Sequence, residues 1–397
     1  MPVLKPNHAR HPILILVAKA FQTPDVPRAA QEAYTLSKNH PVFVFAWDRY
    51  VEYPSWEVRG NVEVSSSHIG NLKKFSKLGL IFGGLIFQIA IALETVKLVK
   101  RLERRPIVIA HDINTLPVAC FLKILGFASA VVYDCRELTF AIYSEWFNSA
   151  VGSFMSTIER KLLRYVRAVI TVSDGIARYF ARYNCHATVV YNCPKLSDVP
   201  LYSRIEARKD LGLPADDFII SCVTTLRYGC GLEILVEASK RLLGTHIRIL
   251  IVGDGPLRSW LDGEASLVDK DHLVIVPRRP RSVALKYVKA SDLTWVVYTE
   301  GSLNGSVGMP WKLFESIACG VPVVVEPNTL RSRFVQTRGC GIVLDNTNPI
   351  EVADAFYRLS TNKRGYNQIR ERTKRLSGRY TWERESKKLL KILAAIN

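Results

Sequence analysis

The chain has 397 residues, 48% apolar and 23% charged, and 54 Lys plus Arg against 36 Asp plus Glu give a formal net charge of +18. That length exceeds one ordinary core and fits two domains of about 200 residues each, and the composition excludes a disordered chain. The basic surplus asks for an anionic partner: acidic lipid head groups, phosphorylated ligands or nucleic acid.

Met1 to Pro12 is polar and lacks the apolar centre of a secretory leader, so no signal peptide is expected. Apolar runs then alternate with longer helical patterns. The strand candidates of the first half are Ile13–Ala18, Val42–Ala46, Val62–Val64, Ile107–Ala110, Ala130–Asp134, Ala168–Val172 and Ala187–Tyr191. Helical periodicity lies between most of them, as over Arg28–Lys38, Leu116–Leu125 and Met155–Tyr165. Continuous apolar runs mark strands buried on both faces, the habit of parallel sheets.

Leu78 to Leu93 carries no charge and is flanked by Lys73, Lys74 and Lys77 before it, and by Lys97, Lys100, Arg101, Arg104 and Arg105 after it. A spanning helix needs about 20 apolar residues, so this run is short. It reads as a buried domain helix, as a helix lying on a membrane face, or as a span; the basic flanks favour anionic lipid.

Asn192 to Pro200 is a polar, proline-containing connector and the best domain boundary. The pattern then restarts with strand candidates Phe218–Val223, Ile247–Val252, Leu273–Val276, Leu293–Tyr298, Val321–Val325 and Gly341–Leu344, separated by helices such as Leu232–Leu243 and Pro310–Cys319. Series of this kind give α/β folds. The expectation is a first domain over 1–194, a second over 201–379, and a final helix within 380–397 that packs back on the first. Two doubly wound domains would face a cleft at the carboxyl ends of their strands, where ligands bind. The eight cysteines at 120, 135, 185, 193, 222, 230, 319 and 340 form no CxxC pair and read as reduced, buried thiols.

Asn304 to Pro322, NGSVGMPWKLFESIACGVP, carries the most chemistry. Pro310 suits the first helical position, Trp311, Phe314 and Ile317 share one face, and Gly320 ends the helix. The Gly-rich stretch Gly305–Met309 thus leads into a helix N-terminus, whose free N–H groups and dipole suit a diphosphate. Lys312 could pair with phosphate and Glu315 with a ribose diol; alternatively the two form a surface pair on an ordinary helix.

The stretch MPWKLFESIACGVPVVV resembles the donor-site signature of family-4-type retaining glycosyltransferases, which have the GT-B fold. Gly231–Glu233, Ile249–Pro256, Val276, Ser291–Leu293 and Gly339–Leu344 fall in that family's order. In the first half Asp25–Arg28 with Glu32–Ala33, Ile109–Asp112, Val132–Asp134, Val169–Asp174 and Val189–Pro194 do the same. The resemblance implies an α/β fold of two Rossmann-like, doubly wound parallel-sheet domains facing a cleft. It implies donor contacts from Arg227, the N–H groups of Gly308 and Met309, Lys312, Leu313 and Glu315. It places His111, Asp112, Arg136 and Glu137 at the transferred sugar or the reacting hydroxyl, and Asp25 and Arg28 on the acceptor side. Four positions depart from the pattern. Val307 stands where the first glutamate of the pair would be, Cys230 replaces a basic residue, Arg136 replaces a histidine, and Phe21 to Pro27 contains no glycine.

Asp269–Lys270–Asp271 matches a metal triplet of a different fold but sits in a polar turn. The GxG at Tyr228–Gly231 lacks the rest of a dinucleotide fingerprint, and no P-loop or nucleophile elbow is present. The basic stretch Lys363–Lys388 shows no nucleic-acid reader motif and reads as a solvated helix. The expected function is therefore transfer of a sugar from a nucleotide-diphosphate sugar to a lipid-linked or saccharide acceptor with retention of configuration. No cofactor or metal is expected, and no nucleic acid. The expected location is cytoplasmic, peripheral on a membrane face. A non-catalytic partner protein and a sugar-nucleotide epimerase of the same fold are the alternatives.

Overall fold

The computed structural model describes residues 11–19, 21, 27–48, 52–68, 77–269, 271–299, 301 and 303–396. The chain divides into two compact units, Met1–Val190 with Ser386–Asn397, and Tyr191–Glu385.

The first unit is built on eight strands: β1 (Ile13–Val17), β2 (Val42–Trp47), β3 (Trp56–Arg59), β4 (Val62–Ser67), β5 (Ile107–His111), β6 (Ala130–Cys135), β7 (Ala168–Thr171) and β8 (Ala187–Val189). Their order is β3-β4-β2-β1-β5-β6-β7-β8. Every neighbouring pair is parallel except β3 with β4. The inner strands are buried along their whole length, as in β1, β5 and β6. That is the physical reason for their unbroken apolar runs.

The antiparallel β3 has no counterpart among the sequence candidates. Its residues, WEVR, alternate in exposure at the sheet edge and are joined to β4 by a tight turn at Gly60, whose φ is 60°. A short edge strand of this kind leaves almost no apolar signature.

The second unit holds β9 (Phe218–Val223), β10 (Ile247–Val252), β11 (Leu273–Val276), β12 (Leu293–Trp295), β13 (Val323–Val325) and β14 (Gly341–Val343). Their order is β11-β10-β9-β12-β13-β14, all parallel. Both sheets therefore contain the doubly wound order 3-2-1-4-5-6. The direction of winding reverses between β1 and β5 in one unit and between β9 and β12 in the other. Ligands of open α/β sheets bind at that reversal, outside the carboxyl ends of the strands.

Helices cover both faces. Trp295 of β12 is fully buried and packs edge-on against Phe356 of helix Pro349–Thr361. Helix Trp382–Ala394 runs across the division of the chain, and its Leu389 and Leu393 are buried. Helix Lys77–Val99 holds the uncharged run of the first half. Among the described residues no helix is long and apolar enough to cross a membrane.

One glycine is demanded by close approach. After β10 the chain turns at Gly253 with φ 159°, and a Cβ there would lie 1.9 Å from the Thr224 carbonyl oxygen. Gly253→Ala must displace backbone. It is expected to destabilise the protein by about 2 kcal/mol or more in denaturant melts, whereas Gly263→Ala, where a Cβ meets nothing within 4 Å, should be nearly silent.

Candidate functional site

In the second unit the reversal point gathers its chemistry from three elements. Tyr298 follows β12, Lys312 lies in helix Trp311–Ala318, and Arg331 in helix Leu330–Arg338. The Lys312 Nζ sits over the Tyr298 ring, 4.4 Å from its centroid, and the Arg331 guanidinium lies 4.9 Å from the same centroid.

The two cations are in different states. Two of the three Arg331 nitrogens are engaged: Nη1 donates to the carbonyls of Gly305 at 2.7 Å and Gly308 at 2.8 Å, Nη2 pairs with the Glu326 carboxylate, and Nε has no hydrogen-bond partner among the described residues. Lys312 is 8% exposed, and its Nζ has no hydrogen-bond partner among the described residues. Burial works against this ammonium. Desolvation is the largest influence on it, and the neighbouring Tyr298, Cys222 and Cys230 carry no charge at neutral pH to offset that. A buried cation with three unsatisfied donors costs several kcal/mol unless an anion completes it.

The local geometry differs from the sequence expectation in several places. Gly305 does not belong to an open loop: Leu303–Val307 forms a single helical turn, tied down by Arg331. Pro310 is the residue before the helix, with φ −72° and ψ 153°, and helical geometry begins at Trp311. Trp311 is only half-buried, whereas Leu313 is completely buried among Phe314, Ile317 and Val323. The Leu313 side chain therefore packs the core. Met309 is also buried, so only its backbone is available. Gly320 ends the helix in the left-handed region at φ 72°.

Lys312 and Glu315 do not pair. Glu315 Oε1 meets Arg281 Nη2 at 3.0 Å, and the Arg281 guanidinium stacks over Trp311 at 4.5 Å. Burial raises the Glu315 pKa, against the pull of Arg281 and the Trp311 indole. Arg227 is exposed beyond β9 and donates to the Tyr228 carbonyl at 3.2 Å. Tyr298, Arg331, Glu326 and Arg281 carried no local signal in the sequence.

In the first unit the reversal point forms a recess lined by Lys19, Asp112, Asn114, Arg136, Glu137, Tyr143 and Trp146 among others. Asp112 follows β5 with φ 60°, a conformation Asp tolerates better than most residues. Its N–H donates to the Asp134 carbonyl at 2.9 Å. Its carboxylate accepts from the Arg136 N–H at 3.1 Å and Nε at 3.0 Å, and pairs with Nη2. Burial pushes the Asp112 pKa up, but Arg136 outweighs it and holds the carboxyl below its usual range. Glu137 stands at the rim; desolvation and the Asp112 charge raise its pKa against Arg136. Tyr143 and Trp146, an aromatic pair 6.1 Å apart, form the opposite wall, and the Tyr143 hydroxyl donates to Asn114 at 2.8 Å.

His111 and Arg28 are elsewhere than the motif reading put them. Both are at most 2% exposed. His111 Nε2 lies 3.0 Å from Glu32 and Nδ1 lies 3.4 Å from Asp134. The Arg28 Nε lies 2.6 Å from Asp134 and 3.1 Å from Glu32, and Nη1 donates to the Val190 carbonyl at 2.7 Å. The four residues form an interior polar cluster, with the side chains of His111 and Arg28 buried in it. Asp25 lies outside the described residues. Glu32, His111 and Asp134 bring potential metal-ligand atoms together, but the Arg28 guanidinium already occupies the cation position beside both carboxylates. Of the acidic triplet, Asp269 accepts from the Asp271 N–H at 3.0 Å and Asp271 faces Arg248 at 3.7 Å, while Lys270 lies outside the described residues.

Residues 203–376 match the family described as glycosyl transferases group 1. The D-inositol 3-phosphate glycosyltransferase of Thermobifida fusca is 26% identical over 213 residues, 50% of this chain and 48% of that protein. Its namesake in Mycobacteroides abscessus is 29% identical over 164 residues, 40% of this chain and 35% of that protein. The matches thus span from about a third to three-fifths of the length of these curated relatives. Sucrose-phosphate synthase from Thermosynechococcus elongatus has a TM-score of 0.77 at 17% identity, covering 98% of this chain and 99% of that one. Anabaena Alr3699/HepE in complex with UDP has a TM-score of 0.72 at 15% identity, covering 97% and 100%. These neighbours are GT-B glycosyltransferases, and the fold of this chain is GT-B.

The Asp112–Arg136 pair has a testable pH signature. Because the folded-state pKa of Asp112 is depressed, its stabilisation is complete above the unfolded value of about 4 and is lost as pH falls through the folded value. Asp112→Asn should therefore lower stability by about 1–3 kcal/mol at neutral pH, with the gap to wild type closing in acid. A gap of constant size across the acid range in denaturant titrations would remove the ion pair from the account.

Proposed function

We propose that this chain, whose residues 203–376 belong to the group 1 glycosyl transferases, moves a sugar from a nucleotide-diphosphate sugar to a lipid-linked or saccharide acceptor. The observation that carries the reading is the buried Lys312 ammonium, which lacks a hydrogen-bond partner among the described residues at the reversal point of the second sheet.

A diphosphate supplies what that cation lacks. Lys312 would face the phosphates together with the N–H groups of Gly308 and Met309 at the start of helix Trp311–Ala318. Arg227, exposed on the neighbouring loop, would reach the same group. Glu315, oriented by Arg281, would accept from the ribose hydroxyls. Breaking the sugar–phosphate bond leaves extra negative charge on the diphosphate, and a fixed cation in a water-poor site stabilises it more than the ground state. These residues supply that charge, and the reading assigns no metal.

The acceptor fits the recess of the first unit. Its aromatic wall suits the apolar face of a sugar ring, and Glu137, with its raised pKa, is placed to accept a hydrogen bond or proton from the reacting hydroxyl. Attack from the leaving-group side gives retention of configuration. The eight free cysteines accord with a reducing, cytoplasmic location.

Thermal shifts against UDP-, GDP-, ADP- and dTDP-sugars test the donor reading. One nucleotide class should raise the melting temperature of the wild type. Glu315→Ala should weaken the shift and Lys312→Met abolish it. Lys312→Met also has a distinctive second readout: relieved of an uncompensated buried charge, the unliganded variant should melt at or above the wild-type temperature. A cooperatively melting wild type that shifts with none of the donors would exclude the transferase and bring forward the non-catalytic partner. Turnover of the donor to an epimer without acceptor would instead identify an epimerase.

A further inference from the structure

We propose that the first unit docks on an anionic lipid surface through helix Lys77–Val99 and the adjoining end of helix Leu116–Ile124. The proposal deepens the lipid-linked branch of the proposed function and rests on it for the acceptor, but not on the donor site.

Helix Lys77–Val99 is apolar on both sides. Its inner face buries Phe87, Ile91 and Thr95, with the Phe87 ring stacked 5.0 Å from Trp47. A helix covering a water-soluble domain would turn charge outward on the opposite face. Here that face carries Leu85, Ile89 and Leu93 at intervals of four, with Ile86 beside them, each more than half exposed. Toward and beyond its C-terminal end come Lys97, paired with Glu94 at 2.8 Å, then Lys100, Arg101, Arg104 and Arg105, all exposed.

Helix Leu116–Ile124 packs beside it and repeats the pattern. Phe121, Ile124 and Leu125 occupy one face at i, i+3 and i+4, each more than half exposed, with Lys123 among them. The two basic ends converge: a Cβ on Gly126 would lie 3.5 Å from Arg105 Nη1.

Isolated exposed apolar residues need no account, but a stripe on neighbouring helices does. The cations at its end decide what covers it. A bilayer interface takes up apolar side chains a few ångströms deep while acidic head groups meet Lys and Arg at the rim. A protein partner or a second copy would have to bury this row of cations against matching acids.

The test is co-sedimentation of the full-length protein with vesicles of phosphatidylcholine alone and of phosphatidylcholine with phosphatidylglycerol, beside the nucleotide-sugar melting shift on the same preparations. Wild type should bind the anionic vesicles and release them at high salt. Lys100→Gln/Arg101→Gln/Arg104→Gln should weaken partitioning about fivefold per cation, on the order of a hundredfold together. Ile89→Ser/Leu93→Ser should weaken it about tenfold. Both variants alter exposed positions and should keep the donor shift. A wild type that keeps its donor shift but sediments with neither vesicle overturns the docking and leaves the transferase standing. Equal binding to both vesicles, unaffected by the three Gln substitutions, overturns it as well. So does a wild-type dimer, seen by light scattering, that Ile89→Ser/Leu93→Ser dissociates.

Discussion

The constraint on which the rest depends is the reversal of winding in each parallel sheet. Crossovers leaving β1 and β5 turn to opposite faces, as do those leaving β9 and β12. No connection can then bridge the carboxyl ends of the central pair, so each sheet carries an uncovered notch. Ala18, Lys19 and Asp112 line one notch because they end β1 and β5. Tyr298 and Arg227 border the other because they follow β12 and β9. The chemistry of both notches is set by what stands at those strand ends.

The two units treat buried charge in opposite ways. In the first, Arg28 answers Asp134 and Glu32, and His111 bridges the same two carboxylates from the other side. These groups pair with one another beneath Asp112, whose N–H donates to the Asp134 carbonyl. In the second, Arg331 is answered by Glu326, but among the described residues no carboxylate answers Lys312. Charges paired with one another hold a fold; a buried cation with no anion beside it invites a ligand.

How much of this the sequence revealed follows from where each signal resides. Inner strands were legible because burial on both faces forces unbroken apolar runs, as in ILILV of β1 and IVIAH of β5. The edge strand β3 was not, because only half of its short length is covered. Helix Trp311–Ala318 was legible through its motif, yet the burial of Lys312 was not. That burial depends on Tyr298 and Arg331, brought in from separate elements. For the same reason the strand-end position of His111 was readable while its inward direction was not: its partners Glu32 and Asp134 come from a distant helix and the adjacent strand. Local pattern fixes elements; the side on which a polar group finds its partner is decided by the tertiary arrangement.

The departures from the family pattern make physical sense as one set. A glutamate at 307 would have stood at the end of the turn Leu303–Val307, in the chain segment that leads to Lys312. With Val307 there, Arg331 bonds the Gly305 and Gly308 carbonyls, and Lys312 has no hydrogen-bond partner among the described residues. Cys230 removes a cation at the start of helix Leu232–Arg241, and its carbonyl serves as acceptor for the buried Trp295 indole at 3.2 Å. One carboxylate and one cation are thus both missing relative to the pattern. The pair of losses leaves the formal charge of the notch unchanged, and the Lys312 ammonium in it is desolvated, where a cation acts most strongly on an anion.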